Sequence, residues 1–378
     1  MQSSHAPVSD PASAPAQAVP IPSAQEGALA IRGLMAVSAL PLIGLFGLAA
    51  EGLFFQAAAE TELTRTAVWT ESMETEEVSI LADGEETTDA PGVESSVEST
   101  LSVTTVDRFV RTKMGGPLEL VRLFDDITYE SEGKIGFDSP SGPIELEISG
   151  EGESALDQIA VKFDFDGEAD EWVKSYAEEY EGQEELLEPL WPNAEFLRLL
   201  PEDPEDVEVG DRWEVDGDAL LDLLVPGGYV PMERASDLQV IEGVLDPLLL
   251  PGPFALMDGD IEGKVLAKLD SMTAKSATIT LEVEVDVTKS CIDLIQVIVN
   301  GIVPEGARIE VNVANYAMAL KGKGSLVWDL EGYHMKSFEF TSDAEIEILM
   351  EVLVDLGGEA TLYELRETRS GEVGLTVE

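Results

Sequence analysis

The chain contains very little cysteine and histidine. Its 378 residues include one cysteine, Cys291, and two histidines, His5 and His334. A single cysteine cannot form an intrachain disulfide, and we interpret Cys291 as a small buried hydrophobic residue. No GxSxG, P-loop, GxGxxG or HExxH pattern occurs, so the familiar nucleophile, nucleotide and zinc motifs are absent. We therefore predict that the protein is not an enzyme and has no catalytic residue, no cofactor and no specific metal site.

Basic residues are scarce as well. Only 22 Lys and Arg stand against 76 Asp and Glu, which gives a formal net charge of −54. Nucleic acids and anionic membranes are bound by clustered basic residues, so we expect neither as a partner. Hydrophobic residues nevertheless make up 44% of the chain, enough for a packed core. The charge should therefore lie on the surface of a folded domain and attract diffuse counter-cations.

The N-terminal region carries almost none of this charge. Residues 1–32 are rich in Ala, Pro, Ser and Gln, which is typical of a flexible polar tail. Arg32 precedes an uncharged stretch at 33–50, and the small-residue triplet Ala57–Ala59 that follows is of the kind that signal peptidase uses. Residues 33–59 are therefore predicted to be a signal sequence or a single membrane anchor.

Three interpretations of this leader stay open. It is a cleaved secretory signal, an uncleaved anchor just long enough to cross a bilayer core of ~30 Å, or a buried core helix of a cytosolic protein. The first two place residues 60–378 outside the cytoplasm, in the periplasm, at the cell surface or secreted. In the second, the inner membrane is contacted through residues 33–50 alone.

Alternation of apolar and polar residues dominates the rest of the chain. It is clearest at 279–288, where every second residue from Ile279 to Val287 is apolar and those between them are Thr, Glu or Asp. This pattern predicts a strand with one buried face and one acidic face. The fold class should be mainly β (α+β), with a long curved antiparallel sheet or meander packing on one to three short helices.

We predict one β-rich domain over residues 60–378. It is strand-rich at 60–167, helical and looped at 168–258, and an antiparallel meander of five or six strands at 259–378. The individual predictions are strands at 61–82, 99–113, 118–136, 143–149 and 159–166, helices at 168–181, 193–200 and 216–225, a helix or strand at 290–300, and a bulge or bend at Gly322 and Gly324.

Three segments resemble a known group of bacterial proteins. They are LPEDPEDVEVGDRWEVDGDALLDLL at 200–224, VRLFDDITYES at 121–131 and GKGSLVWDLEGYHMKSFEF at 322–340. Together they are similar to segments of secreted or envelope proteins of planctomycete-type bacteria, in domain-of-unknown-function families near lipoprotein-carrier-like folds. The resemblance implies export and a β-rich architecture. It carries no catalytic residues over to this chain.

Two functions from different classes follow from these patterns. The first is a non-enzymatic structural or interaction protein of the cell envelope, partnered by another envelope protein, whose carboxylate-rich face is screened by cations. Its motivating acids lie on two predicted strands, and we expect rows of like charge to face each other there and to make diffuse cation contacts: Glu282, Glu284 and Asp286 on one, Glu345, Glu347 and Glu351 on the other.

The alternative is a carrier of a lipid or another hydrophobic ligand. A curved sheet with an apolar inner face could enclose a cavity, and the apolar loop PLLLPGPFALM would cover it. The predicted ligand-binding residues of this loop are Leu248, Leu249, Leu250, Phe254, Leu256 and Met257.

Overall fold

A computed structural model describes the C-terminal part of the chain. The described residues are 53–378, except 54, 56, 87–92, 114–115, 140–141, 170, 178–181, 193–194, 204–205, 225–226, 229, 231–232, 237–258, 293–294, 297–307 and 356–359. The chain divides into two units, residues 1–49 and residues 50–378, and every described residue belongs to the second. Among these residues, no helix is both long enough and apolar enough to cross a lipid bilayer.

Fourteen strands form one curved antiparallel sheet that does not close on itself. They are β1 Thr61–Ala82, β2 Glu85–Glu86, β3 Val93–Lys113, β4 Gly116–Ser139, β5 Gly142–Glu153, β6 Ala160–Asp166, β7 Glu171–Tyr176, β8 Arg212–Val215, β9 Glu233–Ser236, β10 Asp260–Met272, β11 Ser276–Ser290, β12 Arg308–Asp329, β13 His334–Asp355 and β14 Thr361–Val377. The predicted fold class is confirmed.

The first and the last long strands lie side by side in the middle of the sheet. From edge to edge the order is β7-β6-β4-β3-β1-β14-β13-β12-β11-β10-β8, while β2 pairs with β1, and β5 pairs with β4 and β9. Strand β1 pairs with β3 on one side and β14 on the other, and Glu378 and Thr66 exchange two backbone hydrogen bonds of 2.9 and 3.0 Å. The two ends of the described chain are therefore joined by a ladder across the sheet centre.

The long strands form where the sequence alternates most regularly. In β11 the six inward residues from Ala277 to Val287 are at most 3% exposed, while Glu282, Glu284 and Asp286 point to the opposite face and are exposed. We call these two faces of the sheet inner and outer. Five strands, β10 to β14, form the predicted meander over 259–378, and β1 has the predicted bounds. Both predictions are confirmed.

Of the bulge or bend predicted at Gly322 and Gly324, the bulge is wrong. The β12–β13 ladder runs through both glycines without a shift in register, and its irregularities lie at Val311/Val313 and Val327/Trp328 instead. A side chain at Gly322 would collide with the backbone of β13 at Thr341 and Ser342. The glycine therefore permits a close approach of two regularly paired strands, which is the other common reason for glycine within a strand.

Helices are few and short among the described residues. The prediction at 216–225 is confirmed by one α-helix, α1 at Gly217–Leu224, and the prediction at 193–200 by a 3-10 helix at Glu195–Leu199; a second 3-10 turn spans Glu184–Leu186. The helix predicted at 168–181 is wrong, because β7 occupies Glu171–Tyr176 and pairs with β6. Asp166 Oδ1 accepts the N–H groups of Glu168 and Ala169, which forms the turn of this hairpin, and β-favouring Trp, Val and Tyr residues follow.

Short segments pack on the inner face and complete one hydrophobic core. The Phe196 ring lies 5.6 Å from that of Phe338 on β13, and Trp213 Nε1 donates to the carbonyl oxygen of Leu199 at 2.9 Å. Cys291 is buried, as predicted. The non-strand members of the core are Leu53, Phe55, Ala57, Leu156, Leu187, Leu190, Phe196, Leu199, Ala219, Leu220, Leu224, Val230, Cys291 and Ile295.

Candidate functional site

A broad polar trough crosses the outer face of the sheet. It has a volume of about 1040 Å³ and is lined by seven neighbouring strands, from β10 to β14 and on to β1 and β3. Strand register arranges its outward side chains in two cross-strand rows. The first row is Lys264, Glu284, Lys321, Asp343, Glu372, Ser72 and Glu98, and the second is Leu266, Glu282, Lys323, Thr341, Gly374, Thr70 and Thr100.

At the β10–β12 end of the trough, lysines alternate with acids. Glu284 lies opposite Lys264 on one side and Lys321 on the other, and Lys321 Nζ is 3.7 Å from Glu284 Oε1. Glu282 lies opposite Lys323. Both members of the Lys321–Glu284 pair are more than three-quarters exposed, so each contact is worth little, but repulsion among the acids is relieved.

This alternation corrects one expectation from the sequence. The acids of β11 and β13 do not face each other, because β12 lies between the two strands and places Lys321, Lys323 and Ala319 there. The predicted residues Glu282, Glu284, Asp286, Glu345 and Glu347 are all exposed on the outer face, as expected. Only the first two have a lysine directly opposite.

Toward β1 and β3 the trough loses its lysines and becomes acidic. Asp343 on β13 lies directly opposite Glu372 on β14. On β3 and β4, Glu98 lies opposite Glu132, and on β4 and β5, Glu130 lies opposite Glu151. These last four acids line a second cavity of about 590 Å³ that shares Glu98 and Thr100 with the first. The like-charge rows therefore exist, but between other strands than the sequence indicated.

Two carboxylates beside basic side chains have a lowered pKa. On the outer face of β3, β4 and β6, hydrogen bonds from Lys162 and Arg111 hold the pKa of Glu119 below its usual range. The ammonium of Lys268 likewise lowers the pKa of Asp270. No group of three or more His, Cys, Asp or Glu side chains among the described residues has the geometry of a metal site.

Two polar clusters on the inner face were not predicted. In the first, Arg122 donates to both carboxylate oxygens of Asp107, at 2.7 and 3.0 Å, and to the carbonyl oxygen of Trp191 at 3.1 Å. Arg122 and Asp107 are completely buried, and Arg65 approaches Asp107 to 3.6 Å. The cluster ties the segment around Trp191 to β3 and β4. The sequence indicated this cluster only by placing charged residues at positions that the strand pattern assigns to the inner face.

The second inner cluster joins four strands. Arg369 donates to Glu367 at 2.6 Å, Thr75 donates to the same carboxylate at 3.4 Å, and Ser99 donates to Glu71 at 3.4 Å. Tyr316, which is 3% exposed, belongs to the same neighbourhood. Burial raises the pKa of Tyr316 to about 12, although the charge of Arg369 opposes this.

The predicted apolar loop cannot be placed. Leu248, Leu249, Leu250, Phe254, Leu256 and Met257 all lie outside the described residues. The inner face that they would cover is closely packed where it is described, since Val283, Val285, Val287, Met318 and Leu320 are at most 3% exposed. At these residues, the described inner face offers no exposed apolar surface in support of the carrier alternative.

Comparison with known proteins names no family. No family model matches the chain, and no curated protein matches it. Among solved structures, the chain matches an outer membrane channel of Pseudomonas putida F1 at 10% identity, over 84% of this chain and 97% of that chain, with a TM-score of 0.16. A likeness at this TM-score carries no argument about fold or function.

Proposed function

We propose that the protein is a non-enzymatic structural or interaction protein of the cell envelope, and that its working surface is the polar trough. The observation that carries the proposal is the width of this surface. Seven strands contribute side chains to one charged cavity, whereas the apolar face of the same sheet is packed inward. A surface of this size, bearing acids without opposing bases, requires counter-cations for its stability.

The unequal distribution of lysines supports cation screening over specific binding. Where Lys264, Lys321 and Lys323 alternate with acids, the protein supplies its own counter-charges. No basic residue lies directly opposite Glu372, Glu98, Glu130, Glu132 or Glu151, and there cations from solution must supply the counter-charge. Mobile ions screen interactions between exposed charges more than about 8 Å apart at physiological ionic strength, and closer ones as salt is added. Their effect therefore depends on concentration and charge rather than on ion identity.

The test measures the melting temperature of the full chain in increasing NaCl, MgCl2 and CaCl2. We expect the melting temperature to rise in molar NaCl and in millimolar concentrations of either divalent salt, and to rise alike for Mg²⁺ and Ca²⁺. A flat response contradicts the proposal. A response to Ca²⁺ alone would indicate a coordinated site instead.

A matched pair of variants locates the effect. Glu130→Gln/Glu132→Gln removes two acids of β4 that face Glu151 and Glu98, while Glu282→Gln/Glu284→Gln removes two acids of β11 that face lysines. Each variant neutralises two alternate residues on the outer face of one strand, so the two variants change the net charge equally. The variant on β4 should weaken the dependence of the melting temperature on salt. The variant on β11 should leave that dependence equal or make it stronger. Equal weakening in both would show a response to net charge alone.

Localisation is tested separately by cell fractionation. We expect the sheet domain outside the cytoplasm, in the periplasm, at the surface or in the medium. A stable cytosolic pool would contradict the assignment to the envelope, whatever the response to salt.

A further inference from the structure

The chain enters the hydrophobic core before β1 begins. Leu53, Phe55 and Ala57 are 1%, 5% and 2% exposed, and all three belong to the main core cluster. The next residues, Ala58 and Ala59, are exposed. All three described residues of 53–57 thus lie in the core, although the sequence assigned this segment to a leader.

A turn connects this segment to the sheet. The Thr61 N–H donates to the Ala58 carbonyl oxygen at 3.2 Å, and the Glu60 N–H donates to the Phe109 carbonyl oxygen at 2.7 Å. The Phe109 ring, which is 3% exposed, also packs against the Phe55 ring at 5.5 Å. One residue of β3 therefore holds both the start of β1 and the segment that precedes it.

Cleavage at the alanine triplet would dismantle this part of the core. Hydrolysis of the Ala59–Glu60 bond would consume one water and leave β1 intact, but it would free the segment that carries Leu53, Phe55 and Ala57. Buried leucine and phenylalanine side chains are among the largest contributors to core stability. The Phe109 ring would then lose its aromatic neighbour.

We propose that Leu53, Phe55 and Ala57 remain in the mature protein as a permanent part of its core, so that proteolytic removal of the leader occurs only N-terminal to Leu53. The Ala57–Ala59 triplet is then a turn at the entry to β1 and not a processing site. This inference does not depend on the proposed function.

The decisive experiment prevents cleavage at the alanine triplet without disturbing the core. Signal peptidase requires a small residue next to the bond that it cleaves. The variant Ala59→Tyr replaces an exposed residue of the triplet. The full-length variant and the wild type are both expressed and exported, and the intact masses of the exported products are compared. We expect both products to retain Leu53 and to differ only by the mass of the substitution. A wild-type product that begins at Ala58, Ala59 or Glu60, or a precursor that accumulates only in Ala59→Tyr, overturns the proposal.

If the exported protein keeps its whole leader, a stability measurement tests the same inference. Phe55→Ala in the full chain should lower the melting temperature by about 5 °C or more, since it empties a buried aromatic position. The control Ala58→Ser changes an exposed neighbour and should stay within about 1 °C. Equal melting temperatures for Phe55→Ala and the control would show that the segment is not part of the core.

Discussion

The two faces of this sheet use charged residues in opposite ways. On the inner face, Asp107 and Arg122 are fully buried and joined by two hydrogen bonds of fixed geometry. On the outer face, exposed acids such as Glu284 and Glu372 meet either a lysine or another acid, according to the register of the strands. A buried charge depends on a few partners held at fixed distances, whereas an exposed charge depends on its surroundings and on salt.

The largest test of this difference removes the buried carboxylate. Asp107→Asn leaves Arg122 and Arg65 in the core without their common counter-charge, and we expect a loss of about 3–5 kcal/mol in the free energy of unfolding. Urea denaturation measures it. The outer-face variant Glu284→Gln should change stability by less than about 1 kcal/mol. Similar losses in both variants would remove the distinction between the faces.

A pH titration sharpens the comparison through Tyr316. Its pKa is raised to about 12 by burial, whereas an unfolded tyrosine titrates near 10. The stability that this shift contributes is fully present below about pH 10 and is lost as the pH rises through about 12, by ~2.7 kcal/mol in all. Denaturation of wild type and Tyr316→Phe across this range should show the loss in wild type alone.

The control for this titration is a tyrosine at the surface. Tyr363 is 40% exposed, so Tyr363→Phe should keep the wild-type dependence on alkaline pH. If Tyr316→Phe and Tyr363→Phe lose stability in parallel between pH 10 and 12, burial of Tyr316 is not the cause of the pH effect.

The smallest expected effect distinguishes two acids of one cross-strand row. Glu372→Gln removes a charge that faces Asp343, and should stabilise the protein by about 0.5 kcal/mol at low salt. Glu284→Gln removes a charge that lies between Lys264 and Lys321, and should destabilise it by a similar amount. In molar NaCl the two variants should have nearly equal stability. Changes of the same sign at low salt would mean that register does not decide the cost of an exposed acid.

Local patterns were sufficient to locate most strands. β1 and β10 to β14 follow from alternation and turn residues, because the two faces of a strand are visible within a few residues of sequence. The failure at 168–181 has a local cause as well. Its many acidic residues are compatible with a helix, but Trp172 and Tyr176 lie on one face of a strand that pairs with β6.

The candidate site was predicted only in part. The outward orientation of Glu282, Glu284 and Asp286 could be read from the strand that carries them, and it is confirmed. Their neighbours could not, because partners across a sheet lie far apart in sequence and the strand order was unknown. Glu282 and Glu284 therefore meet lysines and Asp286 does not, while Glu98 and Glu132, which no pattern connected, face each other.

Sequence alone determined the class of fold, the sign of the surface charge and the face to which each side chain of the regular strands points. These follow from composition and from a period of two residues, which are local properties. Tertiary structure decided that β14 joins β1 at the sheet centre, that β12 separates the acids of β11 and β13, and that Leu53, Phe55 and Ala57 belong to the core. Each of these depends on contacts between distant segments, whose geometry no local pattern specifies.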